Sequence, residues 1–311
     1  MITDIPTPED FERSGKHFLH TGWEKANELL DSVDSFANKS EESPSDITGY
    51  WAAVQSQLSM SLALVQQGIE QLLKARVADV SPFLLIVANP RDWPQGSQKG
   101  DIAFADFRTI DAQDLIRVHD TVVPSKLSER FKQRFDHMRR LRNSIFHTID
   151  KRITVAASQI LEATLEGCAT LLPGQSWPAI RREHLAAEPV FALVPDEDNA
   201  VTYLMNRELE TVVKSLSPAF VKEYLAFDTK QRRYLCYPCT VERPKWGDDD
   251  TRLALLQPNT AKSSALYCIA CDRAFEVRRV ACTNPDCKGN VIETEGNTCC
   301  SCGEVQDHVS K

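Results

Sequence analysis

The chain lacks several features that would place it in a common class of protein. Its longest apolar run, about Pro82 to Ala88, is far short of the roughly 20 residues that a membrane-spanning helix needs. Its first residues have neither a basic start nor an apolar core, so we expect no signal peptide. Excess positive charge is absent too: the net charge is -8, which argues against a protein that coats nucleic acid. We expect a soluble, cytoplasmic protein without a membrane partner.

Cysteine is almost absent from the first three quarters of the chain and dense in the last. Of the ten cysteines, only Cys168 precedes Cys236, and the other nine lie between Cys236 and Cys302. In a reducing cytoplasm, so dense a cluster indicates metal binding rather than disulfide bonds. Cys168 falls in a predicted helix, where we expect it to be a small buried apolar group.

The clustered cysteines form four closely spaced pairs, and each pair can direct two thiolates at one tetrahedral ion. The pairs are Cys236/Cys239, Cys268/Cys271, Cys282/Cys287 and Cys299/Cys302. They predict two structural zinc sites of four cysteines each and no catalytic metal, because thiolate fills every ligand position. Pairing in chain order is simplest, but a site built from the second and third pairs is also sterically possible. Cys300 is expected to be spare, although it could replace Cys299. The segment resembles tandem zinc ribbons, which are small β-hairpin modules.

Helix-starting signals and apolar spacing divide the first part of the chain into predicted helices. These helices span about 8–38, 44–79 and 112–122. Gly15 and Gly22 are points where the first could break. Between 125 and 172 there is no proline and a single glycine, which predicts one long helix or two joined at a kink. We therefore predict an all-helical bundle domain over 1–172.

The pattern becomes less regular after residue 172. The predicted elements there are strands at 190–194 and 200–204 and a helix at about 207–226. We describe 173–228 as a connector of mixed α/β structure and 229–311 as the zinc-ribbon region. The expected fold class is mainly α, with a small β region at the C-terminal end.

A basic segment from Lys126 to Arg152, which we call the basic stripe, contrasts with the acidic chain. It holds nine basic residues against three acids, a net charge of +6. Apolar residues recur within it at helical spacing. We therefore expect one face of the helix to pack against the fold while the basic face remains exposed to solvent. Clustered Lys and Arg are typical of nucleic-acid binding, although many charge runs are only solvated helix faces. The predicted RNA-binding residues are Lys126, Arg130, Lys132, Arg134, Arg139 and Arg140.

The basic stripe contains the pattern Arg142-Asn143-x-x-x-His147. On a helix, Asn143 and His147 share a face, while Arg142 lies about 140° from His147 and can reach round with its long side chain. Imidazole transfers protons near neutral pH, and guanidinium can hold two phosphate oxygens. RNA supplies its own nucleophile, the 2′-hydroxyl group. The pair therefore suits RNA cleavage without a catalytic metal.

This motif, with the preceding Arg139-Arg140-Leu141, resembles that of the HEPN superfamily, all-helical domains marked by Arg-Asn-x-x-x-His. The segment Ile69 to Ala75 resembles the family as well, because members often carry an acid and a lysine four residues apart. Here these are Glu70 and Lys74. The resemblance covers about 44–172 and implies a HEPN-like helical bundle.

The resemblance also implies roles for individual residues. Arg142 and His147 would form the catalytic pair, and Asn143 would be the polar residue of the motif. Glu70 would orient Arg142, unless it is only a helix-surface partner of Lys74. The implied activity is that of a metal-independent endoribonuclease, acting as a homodimer in which two motifs share one cleft.

The family also implies a biological setting, a bacterial toxin or an antiphage defence system with an antitoxin or defence-system partner. Two other functions fit the sequence. One is a non-catalytic module that binds RNA, a nucleotide or a protein. The other is a nucleic-acid adaptor that works through its zinc ribbons, with the helices serving only to dimerise.

Overall fold

The structure, a computed structural model, describes the chain in six stretches. These are residues 1–37, 44–95, 100–147, 153–193, 197–241 and 251–306. The chain divides into two compact units, Met1–Gly174 and Gln175–Lys311, which we call the helical unit and the cysteine unit. The described residues form ten α-helices, a small antiparallel sheet and one short parallel strand pair, so the protein is mainly α. Among these helices none is long and apolar enough to cross a membrane.

The helical unit contains six α-helices. They are α1 (Pro8–Ala37), α2 (Pro44–Ala53), α3 (Gln55–Ala78), α4 (Ala112–Val122), α5 (Glu129–His147) and α6 (Ala157–Leu171). Two short strands, β1 (Ile2–Thr3) and β2 (Ile102–Ala103), pair in parallel and attach the N-terminus to the segment before α4. Helix α3 lies at the centre of the unit, because it packs against α1, α4, α5 and α6.

Helix α1 runs unbroken through the two glycines at which we expected a break. Its close approach to α3 explains why glycine stands there. A Cβ atom on Gly15 would lie 2.8 Å from the Leu72 side chain, and one on Gly22 would lie 2.5 Å from the Val65 side chain. The glycines therefore serve helix packing and do not interrupt the helix.

The helix predicted at 112–122 is confirmed as α4, whereas two other predicted helices are divided. The helix predicted at 44–79 is two helices, α2 and α3, which meet at Val54, a buried residue with a ψ angle of 6°. The region 125–172 also holds two helices, α5 and α6, and the described residues between them are not helical. The Gln55 side chain holds that link, accepting a hydrogen bond from the Val155 N–H (2.9 Å) and donating one to its carbonyl (3.3 Å).

The cysteine unit combines four helices with an antiparallel meander. Its helices are α7 (Trp177–Ala187), α8 (Glu197–Ser215), α9 (Pro218–Leu225) and α10 (Tyr237–Val241). Its strands are β3 (Ala254–Leu256), β4 (Ala265–Cys268), β5 (Arg273–Arg278) and β6 (Ile292–Glu293), in that order across the sheet. Leu266 pairs with Leu256 on one side and with Phe275 on the other, which fixes the register.

The two strands predicted in the connector were wrong. The first falls on a 3-10 turn at Phe191–Leu193, and the second falls inside α8. A short apolar run does not by itself distinguish strand from helix. The buried residues of α8 recur every three or four positions, which is the helical period. They include Val201, Met205, Leu209 and Val212.

Candidate functional site

Four cysteines of the cysteine unit converge between α10 and the β4–β5 turn. Cys236 lies just before α10 and Cys239 within it, while Cys268 ends β4 and Cys271 lies in the turn. The Sγ atoms of Cys236 and Cys271 are 3.6 Å apart, and those of Cys239 and Cys268 are 3.9 Å apart. A tetrahedral ion with bonds of about 2.3 Å to sulfur places its ligands about 3.8 Å apart. The group, which we call site I, therefore fits a metal ion.

A second group of four cysteines, which we call site II, lies after β5. The Sγ atoms of Cys282 and Cys302 are 3.7 Å apart, and those of Cys287 and Cys299 are 3.9 Å apart. All four sulfur atoms lie within 4.8 Å of one another, as they do in site I. Site II is built from loops and single β-bridges, such as that between Ile292 and Cys299. It fits a tetrahedral ion equally well.

The prediction that the cysteine pairs combine in chain order is confirmed. The alternative, which joined the second and third pairs, is wrong because these pairs belong to different sites. Cys300 lies outside both groups, as expected of a spare cysteine, and burial raises its pKa to about 12. Cys168 is buried in α6, and burial raises its pKa to about 12 as well, so it is a small apolar group.

In the helical unit, the described part of the basic stripe, residues 126–147, presents less free cationic surface than we predicted. Two of its arginines lie against acids of α6 instead. Arg134 Nη1 is 2.9 Å from Glu162 Oε2, and Arg134 also contacts Glu166. Arg130 Nε is 3.3 Å from Glu166 Oε1. Glu166 is only 2% exposed, so these contacts are part of the packing between α5 and α6.

Two lysines of the basic stripe are bound to the end of α4. Lys132 Nζ lies 2.8 Å from an oxygen of Asp120, and Lys126 donates to the carbonyls of Asp120 and Val123. Burial alone would raise the pKa of Asp120, but hydrogen bonds from Lys132 and from the Leu127 N–H lower it to about 2. Asp120 is therefore a charged anchor for the chain that leads into α5.

The exposed part of the stripe is smaller than the sequence predicts. Arg139 and Arg140 both pair with Asp136, at 2.7 and 3.0 Å, and the Arg140 side chain remains 68% exposed. Gln133 and His137 are exposed as well. Their spacing of three and four residues places Gln133, His137 and Arg140 on one face of α5. We call these three residues the exposed line. Lys151 and Arg152 lie outside the described residues.

The Arg-Asn-x-x-x-His motif occupies the last two turns of α5, beside α3. Lys74 Nζ is 3.0 Å from Glu70 Oε1, and Arg142 Nη2 is 4.0 Å from the other oxygen of Glu70. Glu70 and Lys74 are each 8% exposed, so they form a buried pair and not a helix-surface pair. Asn143 is half-buried. His147 is the last residue of α5, and its side chain lies outside the described part of the structure.

The acids that pair with two arginines of the basic stripe were not predicted from the sequence. Glu162 and Glu166 are four residues apart on α6, and they match Arg130 and Arg134, four apart on α5. Complementary charges at the same spacing on neighbouring helices were a usable signal.

Comparison with known proteins adds no relationship, since no family model, curated protein or solved structure matches the chain. The resemblance to the HEPN superfamily therefore rests on the motif and on the segment from Ile69 to Ala75.

Proposed function

We propose that the helical unit binds RNA and cleaves it at a site formed by Arg142 and His147. The observation that carries the proposal is the buried ion pair of Glu70 and Lys74 beside the partly exposed Arg142. Buried ion pairs contribute little net stability, because the cost of desolvation offsets the attraction. Their presence beside the motif favours a role in holding a guanidinium group in place.

Arg142 has the environment that a phosphate-binding arginine needs. The carboxylate of Glu70 lies near its guanidinium group but is already paired with Lys74 at the shorter distance. The Arg142 side chain is 29% exposed, so part of it remains accessible to a ligand. Glu70 therefore acts as a positioning residue, and Arg142 holds the phosphate and stabilises charge in the transition state.

His147 supplies the proton transfer in this proposal. The RNA 2′-oxygen loses its proton, attacks the adjacent phosphorus and forms a 2′,3′-cyclic phosphate, while the 5′-oxygen leaves and takes up a proton. Two acid–base groups serve this reaction better than one, because one proton is removed and another is delivered. We therefore propose a homodimer that brings two His147 residues to one cleft. Light scattering tests this, and a strictly monomeric protein that cleaves RNA contradicts it.

The exposed line is the proposed route of the RNA strand towards the motif. Arg140 lies one heptad before His147 on α5, which is about 10 Å along the helix axis. Gln133 lies about the same distance further back. Arg130, Lys132 and Arg134 are held by acids within the fold, so we assign them mainly a structural role.

For the cysteine unit we propose zinc as the metal of both sites. Four thiolates in a tetrahedron are typical of structural zinc, and they leave no open ligand position for catalysis. The freshly purified chain should carry two zinc ions, measured by atomic emission. A zinc content near zero in protein that has not been exposed to a chelator contradicts the assignment.

The test of the ribonuclease proposal is incubation of the purified protein with total RNA and with single-stranded DNA. Cleavage should persist in EDTA too dilute to strip the cysteine sites, yield a 2′,3′-cyclic phosphate and a 5′-hydroxyl, and spare DNA. His147→Ala should abolish cleavage and retain RNA binding, whereas His17→Ala, an exposed histidine on α1, should change neither. Full activity in His147→Ala, or equal cleavage of DNA, removes the proposal.

Two variants of Arg142 refine the test. Arg142→Ala should weaken both RNA binding and cleavage, because it removes a phosphate contact and charge stabilisation together. Arg142→Lys should not restore full activity, since an ammonium group cannot reproduce the planar fork of guanidinium. Restoration of the full rate by lysine would show that only the charge matters.

A second candidate function is a non-catalytic module that binds RNA, a nucleotide or a protein. The ion pairing of Arg130 and Arg134 leaves α5 few exposed cations, which favours a short ligand such as a nucleotide over a long RNA strand. Binding without cleavage in the same experiment supports this candidate. The toxin or defence setting, with its antitoxin or defence partner, stays a prediction from the resemblance.

A further inference from the structure

The two cysteine sites have the same ligands but differ in their access to solvent. At site I, all four cysteines are buried, and none is more than 8% exposed. At site II, Cys299 is buried, Cys282 and Cys287 are half-buried, and Cys302 is exposed. Reagents in solution therefore reach site II more readily than site I.

The surroundings of the two sites explain this difference. At site I, Arg182 of α7 donates a hydrogen bond of 2.6 Å to the carbonyl of Ala270, which lies between two ligands in the β4–β5 turn. A helix thus covers that turn. At site II, Cys302 lies in a turn followed by Gly303, which has a positive φ angle, and by Val305, which is 70% exposed. Cys302 therefore lies on the outside of the unit, and Cys282 and Cys287 are partly accessible.

We propose that Cys282 and Cys302 form an oxidation site. In this proposal a peroxide converts two metal-bound thiolates to a disulfide and releases the ion of site II, while site I keeps its ion. The proposal rests on the assignment of zinc above. The two sulfur atoms are 3.7 Å apart. They need to approach by only about 1.7 Å to reach the length of a disulfide bond.

The reaction balances with hydrogen peroxide as the oxidant. The exposed Cys302 thiolate attacks one peroxide oxygen, so a sulfenic acid forms, the O–O bond breaks and hydroxide leaves. The Cys282 thiolate then attacks the sulfenic sulfur, which forms the S–S bond and releases a second hydroxide. Two thiolates lose two electrons and the peroxide gains them. With two of its four thiolates joined in a disulfide, site II would no longer hold a tetrahedral ion.

The experiment uses the zinc-loaded full-length protein. Zinc content is measured first, and hydrogen peroxide is then added in the presence of a colorimetric zinc chelator. Half of the bound zinc should be released in a fast phase. Peptide mapping by mass spectrometry should find a Cys282–Cys302 disulfide, while Cys236 and Cys268 remain reduced and bound.

Two serine variants provide a matched comparison. Cys302→Ser removes the exposed thiol, so the fast phase and the disulfide should both disappear. Cys300→Ser changes a neighbouring buried thiol outside both sites and should leave the fast phase unchanged. Because the wild-type mapping does not depend on either variant, failure of a variant to fold leaves the test intact.

Several results would overturn the proposal. These are release of both ions at one rate, release from site I first, or a disulfide other than Cys282–Cys302. An initial zinc content near zero would remove the zinc assignment and this proposal together. None of these readouts uses RNA, so failure of the ribonuclease proposal is recognised separately.

Discussion

The helical unit and the cysteine unit both bury ion pairs, but the cysteine unit also gathers thiols. In the cysteine unit Arg181 is 1% exposed, and its Nη2 atom lies 2.7 Å from Glu208 Oε1. The helical unit pairs charge with charge across helices, as Glu166 does with Arg134, and along a helix, as Glu70 does with Lys74. The cysteine unit gathers four thiols at each of two points, where an ion is needed to hold deprotonated sulfur together. The ion pairs of the first unit need only its own side chains, whereas the proposed metal sites would make folding of the second unit depend on metal.

The largest expected effect is that of metal removal, which tests this comparison directly. A structural zinc site supplies about 10–16 kcal/mol of binding free energy, and this becomes folding free energy. Stripping both ions should therefore unfold 229–306, whereas α1, α3 and α6 should keep their protection in amide hydrogen exchange. Adding zinc back should restore protection. If 229–306 stays protected after the zinc content reaches zero, the dependence on metal is wrong.

The second prediction concerns a substitution that removes one partner of a buried charge pair in the helical unit. Glu166→Ala leaves Arg130 and Arg134 without the acid that they share. It should lower the free energy of unfolding by about 3 kcal/mol. This is the lower end of the usual range, because Arg134 still pairs with Glu162. Glu129→Ala is the control, since Glu129 is 80% exposed and pairs with Lys132 at the surface. That change should cost less than about 1 kcal/mol. Equal losses in urea titrations would contradict the distinction.

A third and smaller effect concerns the anchor before α5 and depends on pH. The pKa of Asp120 is lowered from 3.8 to about 2 in the folded protein. A depressed pKa adds stability above the pKa of the unfolded chain, and this is lost as pH falls through the folded value. Asp120→Asn should therefore cost about 2 kcal/mol at pH 7. The difference in stability between the variant and the wild type, measured by hydrogen exchange of α4 and α5, should shrink as the pH falls from 4 to 2. A difference that stays constant would rule out ionisation of Asp120 as its cause.

The two units also differ in how far the sequence predicts them. The cysteine pairs were predicted in chain order because spacing and the demands of a tetrahedral ion act over short stretches of chain. The partners of the basic stripe were not predicted: Glu162 and Glu166 repeat the spacing of Arg130 and Arg134, but the sequence alone does not show that their two helices pack together. The break between α5 and α6 was left open for the same reason, since Gln55 holds Val155 from 100 residues away.

The smallest expected effect on stability is that of an exposed charge of the basic stripe, and it tests the distinction between the buried and the exposed charges. Arg140→Gln should change the free energy of unfolding by less than about 0.5 kcal/mol, because surface ion pairs contribute little. It should nevertheless weaken RNA binding. Loss of one phosphate contact should reduce the slope of log affinity against log salt by about 0.7 for a single strand.

The control is Arg117→Gln. Arg117 is 79% exposed on α4 and is 3.0 Å from Asp114, much as Arg140 is 3.0 Å from Asp136. It lies outside the basic stripe, so its loss should leave both the affinity for RNA and the salt slope unchanged. Equal losses of affinity would show that any exposed arginine of the helical unit contributes through its charge alone. A loss confined to Arg140→Gln places the RNA strand along the exposed line of α5.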